Sequence, residues 1–177
     1  MKASDIAVGG VYHDGKLGVR EVIGMDGAAG CRDTKITYRL LAAKGEQEYS
    51  YAEKAMVSLI GGTSKCELAS FAAWARVAVR ACDQSALLDS LAAKKLRLPA
   101  GEAAFMASVA TEFNDEFQAK AGVTVSFNFN ETRSARGIEK KGLAKVAMAA
   151  PGAGGEITLT ELGAAWIRVN RQTTVAA

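Results

Sequence analysis

Proline, histidine and cysteine are scarce in this chain: two, one and three copies in 177 residues, with no cysteines in a CxxC pair. A lone His13 and the scattered Cys31, Cys66 and Cys82 supply too few nitrogen and sulfur ligands for an ordinary zinc site, and they offer no obvious base for a thiol nucleophile. They read instead as reduced thiols in a reducing compartment. Long apolar runs are missing too. No stretch approaches the roughly 18 uninterrupted apolar residues of a spanning helix, and Met1–Gly10 carries Lys2 and Asp5 with no apolar segment before a cleavage site. The expectation is a cytoplasmic protein with no membrane segment, no metal and no cofactor. What is present is a composition of 49% hydrophobic and 23% charged residues, enough to build a packed core in one ordinary domain or two small ones.

The formal net charge of +3 is unevenly placed. Residues 1–60 and 61–122 are each neutral, whereas residues 123–177 hold seven Lys/Arg against Glu131, Glu139, Glu156 and Glu161. Arg133, Arg136, Lys140, Lys141 and Lys145 are opposed locally by Glu131 and Glu139 alone. A basic patch beside neutral segments suits a polyanion, although on charge alone a solvated helix face fits as well.

Residues 8–51 read as short strands joined by turns. Asp14-Gly15 and Asp26-Gly27 are turn dipeptides, and Ile36, Tyr38 and Leu40 alternate with Thr37, Arg39 and Leu41. The order VGGVY, GVREVIGM, KITYRLL and EYSY resembles an SH3-like or KOW-like small barrel. Composition shifts at Gly61-Gly62. Ser64-x-x-Glu67 fits a capping box, and Leu68, Phe71, Ala72, Ala75, Val79 and Cys82 follow at helical spacing. Phe71 and Trp74 are expected in the core rather than on a stacking platform. Leu87, Leu88 and Leu91 mark a second helix that ends near Leu98, before Pro99. A third, from Glu102 to Lys120, carries Phe105, Val109, Phe113 and Phe117 and stops at Gly122.

Val123, Val125, Phe127 and Phe129 alternate with polar residues as a half-buried strand does. Asn130 or Thr132 can cap a helix to about Lys141, with Gly142 ending it. On that helix Ala135, Ile138 and Gly142 fall on one side, and Arg133, Arg136, Gly137 and Lys140 nearly opposite. Strands at about Leu143–Ala149 and Glu156–Thr160 flank a glycine-rich tip without charge, and Thr160 can cap a last helix bearing Leu162, Trp166 and Val169.

The run IEKKGLAKV, the glycine-rich tip and then ITLTELG resembles the recognition-helix end, wing and following helix of winged helix-turn-helix proteins, those of the MarR family in particular. The resemblance spans about residues 131–166. It implies a helix laid in the major groove of double-stranded DNA, with Arg133, Arg136 and Lys140 toward the bases and Lys141 and Lys145 toward phosphates. Leu159 and Leu162 would pack the wing and Thr160 would cap. Where the family places a helix and tight turn ahead of its recognition helix, this chain has the strand-like VTVSFNFN.

Other motifs fit less well. Gly61-Gly62-Thr63-Ser64-Lys65 lacks the order of a phosphate loop, and Gly152, Gly154 and Gly155 precede a strand rather than the helix of a dinucleotide site. Glu112, Asp115 and Glu116 read as a solvated helix face, and His13 as an exposed turn residue. No nucleophile, base and orienter come together. The sequence therefore predicts an α+β protein: a small SH3-like β module over 1–60, a helical connecting region over 61–122 and a winged-helix-like domain over 123–177. The expected function is non-enzymatic binding of double-stranded DNA by a transcriptional regulator, as a homodimer if its site is palindromic. The alternative is an interaction protein of a phage or mobile element, of the anti-CRISPR or anti-restriction type, that inhibits a host protein partner.

Overall fold

The computed structural model of the chain describes residues 1–27, 33–113, 119–150 and 152–175. These form two compact units of mixed α and β structure, Met1–Leu88 and Asp89–Ala177.

In the first unit, Asp14 Oδ1 accepts the amide protons of Lys16 at 2.7 Å and Gly18 at 2.9 Å. That turn reverses the chain between β1 (Val11–His13) and β2 (Val19–Asp26). β3 (Lys35–Ala42) pairs with β2 antiparallel, with register shifts between Val19 and Arg20 and between Val22 and Gly24. β4 (Gln47–Ser50) and β5 (Ala55–Ser58) make a separate hairpin, on which Tyr49, Tyr51 and Met56 are exposed. β6 (Thr63–Glu67) adds to the outer side of β3. After α1 (Leu68–Trp74), β7 (Val77–Val79) adds to the outer side of β1. The order is β6-β3-β2-β1-β7.

This order corrects the barrel expectation. β6 and β7 are two separate edges, so the sheet is open and uncurled and no SH3-like or KOW-like barrel forms. Instead of curling on itself, the sheet buries Tyr12, Val22 and Ile36 with Leu68, Phe71, Ala72 and Ala75 from α1 and its end. Tyr12 packs edge-on to Phe71 at 5.5 Å, which puts Phe71 in the core as expected. The helix expected from Ser64 is also corrected. Residues 63–67 are a strand, with Ser64 opposite Tyr38 and Lys65 opposite Thr37. A cap contributes about 1 kcal/mol, less than the backbone ladder and burial gained by extending a sheet. Val79 and Cys82 consequently leave the helical face: Val79 lies in β7 opposite Val11, and Cys82 lies in α2 (Ala81–Lys95). His13 is a strand residue rather than a turn residue, its Nε2 3.3 Å from the Lys16 carbonyl oxygen.

In the second unit, α3 (Ala100–Thr111) follows Pro99. It ends earlier than expected; Phe117, Asp115 and Glu116, like Cys31, lie outside the described residues. β8 (Thr124–Phe127), β9 (Ala144–Met148) and β10 (Gly155–Leu159) form an antiparallel sheet in the order β8-β10-β9. α4 (Thr132–Lys140) lies between β8 and β9 in sequence, and α5 (Glu161–Val175) follows β10. Phe105, Met106, Ile138, Leu143, Ile157 and Ile167 fill the core. The alternation that predicts a strand to Phe129 breaks after Phe127. Asn128 and Glu131 close a two-bond box around the 3-10 turn Phe129–Glu131, which leads straight into α4: the Glu131 carboxylate accepts the Asn128 amide proton, and the Glu131 N–H donates to the Asn128 backbone carbonyl.

Candidate nucleic-acid interface

α4 is held on three sides. Its apolar side, Ala135 and Ile138, is fully buried. One flank meets α3: Ser134 Oγ donates to the Gly101 carbonyl oxygen at 3.2 Å, and Gly137, bare of a side chain, leaves room for the Glu102 carboxylate. Lys141, just past the helix, places Nζ 2.9 Å and 2.7 Å from the two oxygens of Glu102, with side chains only 30% and 16% exposed. The other flank meets β9, where Glu139 accepts the Val146 amide proton at 3.0 Å.

The exit from α4 has a physical basis in its Lys-Gly-Leu sequence. Gly142 takes φ +73°, its N–H donates to the Glu139 carbonyl at 2.9 Å, and the Leu143 N–H donates to the Ile138 carbonyl at 3.1 Å. This is a left-handed helix end that drops Leu143 into the core beside Ile138. Thr160 then ties that turn to α5. Its hydroxyl lies 2.6 Å from the Gly142 oxygen and 3.0 Å from the Leu143 oxygen, and accepts the Gly163 amide proton at 3.1 Å. The capping role expected of Thr160 is thus observed, together with a bond across the sheet end.

What remains uncovered is one stripe. Arg133, Arg136 and Lys140 are exposed, and Lys145 is exposed on β9. Arg136 pairs with Glu139 at 2.8 Å, one turn along. Arg133, Lys140 and Lys145 have no carboxylate partner among the described residues. The five cations named from sequence therefore divide: three share the outer side of α4, Lys145 stands on the neighbouring strand, and the Lys141 charge is used internally. Gly137 does not lie on the open side, because Glu102 covers it. Sequence reasoning missed Glu102, 39 residues from its partner with no local signal, and it missed the exposure of Phe129.

The Arg136 guanidinium, and after it the Val146 amide, hold the Glu139 carboxyl below its ordinary value of 4.5. A carboxyl lowered by folding contributes stability above its unfolded pKa and loses that contribution as pH falls through the folded value. NMR titration of the side-chain carboxyls should find Glu139 titrating below 4.5, and Glu139→Gln should remove that part of the acid sensitivity. A midpoint at or above the ordinary value contradicts the bridge from α4 to β9.

Elsewhere the chemistry is sparse. Burial pushes the Cys66 thiol up, an effect only partly countered by the Arg20 guanidinium. Among the described residues, no three His, Cys, Asp or Glu side chains gather as metal ligands would, and no helix is long and apolar enough to cross a membrane. Comparison of the chain with protein-family models, curated proteins and solved structures finds no match in any of the three.

Proposed function

We propose that the chain is a non-enzymatic DNA-binding protein, acting in regulation, that lays the outer side of α4 in the major groove of duplex DNA. The observation that carries this reading is the stripe Arg133, Arg136 and Lys140 on a helix fixed to its sheet and to both neighbours, with Lys145 on the adjoining strand. Cations on a helix of this kind meet both demands of the duplex. Guanidinium and ammonium donors reach base edges, and the remaining charge meets phosphates. Anchoring on three sides supports the reading because little ordering entropy is then lost on binding.

Fluorescence anisotropy on mixed-sequence duplexes at several salt concentrations tests it. Binding should weaken as salt rises, with a logarithmic slope of about −0.9 for each phosphate neutralised. Absence of binding at low salt removes the proposal. A stoichiometric protein partner retained at high salt, with no duplex binding, would favour the interaction-protein reading; the exposed Tyr49, Tyr51 and Met56 are where that search would start.

A further inference from the structure

The stripe on α4 continues backward into the 3-10 turn. Phe129, Arg133, Arg136 and Lys140 stand at i, i+4, i+7 and i+11 of one uninterrupted helical run. At 100–120° per residue this spacing keeps all four within roughly 100° of arc. Phe129 is 56% exposed, whereas Phe127, two residues earlier, is buried edge-on against Phe105 with ring centroids 6.0 Å apart. The core therefore has its aromatic pair without Phe129. The Asn128–Glu131 box fixes the turn that carries the ring: Glu131 Oε2 accepts the Asn128 amide proton at 2.8 Å, and the Glu131 N–H donates to the Asn128 carbonyl at 2.9 Å.

A single exposed apolar side chain is common and needs no explanation by itself. The position of this one is what matters. It opens the cationic stripe at the helix's N-terminal end, the end whose residues approach base edges when a helix enters the major groove. Among the base-edge groups lining that groove, the apolar one is the C5-methyl of thymine. We infer that Phe129 reads thymine methyl groups, so that the protein prefers duplexes presenting thymine at the step facing the start of α4. The inference rests on the DNA-binding reading and adds a base preference that cations alone do not give.

The test uses the full chain and three duplexes of equal length: alternating A·T, the same sequence with deoxyuridine for thymidine, and alternating G·C. Replacing thymine by uracil removes the methyl and leaves every hydrogen-bonding group in place. Wild type should bind the thymine duplex roughly three- to tenfold more tightly than the uracil duplex, since each buried methyl contributes about fourfold. Phe129→Ala should bring that ratio to about one without altering the salt slope, while Phe129→Leu should keep part of it. Arg133→Ala should lower affinity for both duplexes and keep the ratio. Equal affinity of wild type for the thymine and uracil duplexes overturns the inference and leaves DNA binding standing, as does a ratio that survives Phe129→Ala. If wild type binds no duplex, the inference and the reading beneath it fall together.

Discussion

Gly163→Ala should destabilise the second unit by about 3 kcal/mol, the upper end of what overpacking a filled site costs, and lower its thermal midpoint by roughly 10–20 °C. The sign makes this informative. At an ordinary helix position the same change stabilises, by about 0.5–1 kcal/mol, because alanine has less backbone freedom to lose. Here a Cβ on Gly163 would run into the Leu143 carbonyl oxygen, a backbone atom held in place by the Thr160 amide at 3.0 Å. Neither partner can swing aside as a flexible side chain would. Thr160→Val is the graded comparison: it removes the hydroxyl that joins Gly142 and Leu143 to α5 and should cost about 1–2 kcal/mol. Thermal unfolding followed by circular dichroism checks both, and a Gly163→Ala variant as stable as wild type would mean that α5 does not start against the α4 exit.

The parts of the second unit that could be read in the sequence are those whose cause is local. The Lys-Gly-Leu exit needs Gly142 at positive φ and Leu143 one residue later. The Leu-Thr-x-x-Gly segment needs a hydroxyl at Thr160 to take the Gly163 amide proton. Both requirements lie within four residues, so the pattern alone locates them. Alternation likewise identified β8, because Phe127 and Val125 face inward by period. What could not be read is set by partners distant in sequence. Ser64-x-x-Glu67 has the residues of a helix start, yet the free edge of β3 draws it into a strand. Lys141 looks like one more surface cation until α3 brings Glu102 to it. The barrel expectation failed for the same reason: strand order is a property of the whole sheet, and α1 supplies the cover that curling would otherwise provide.

The division of the basic residues has an electrostatic consequence. A charge held by a partly buried carboxylate is already balanced, so a phosphate gains little from it and would have to compete with the existing bond. A charge facing solvent releases counterions when it meets DNA. Net charge does not separate these cases; the position of each cation on the helix does. Arg136 stands between them, since its pair with Glu139 lies in solvent, where such pairs are weak, and gives way readily to a stronger anion.

Replacing Arg133, Arg136 and Lys140 together by alanine should therefore lower affinity for duplex DNA by roughly a hundredfold at about 0.1 M salt, at about 1 kcal/mol or somewhat more for each cation removed. The logarithmic salt slope should fall in magnitude by about 0.9 for each of the three that meets a phosphate rather than a base edge. The fold should hardly notice, because exposed substitutions of this kind move stability by about 0.5 kcal/mol or less. Lys141→Ala should show the reverse. It leaves the Glu102 carboxylate, 16% exposed, without its ammonium partner, so stability should drop by about 1–3 kcal/mol while the salt slope of binding stays near that of wild type. Measured side by side by anisotropy and thermal unfolding, the two variants separate a groove-facing stripe from a structural ion pair. If the triple variant keeps the wild-type affinity, the protein holds DNA through some other surface; if Lys141→Ala lowers affinity as much as the triple does, the Glu102 pair opens on binding and Lys141 joins the interface.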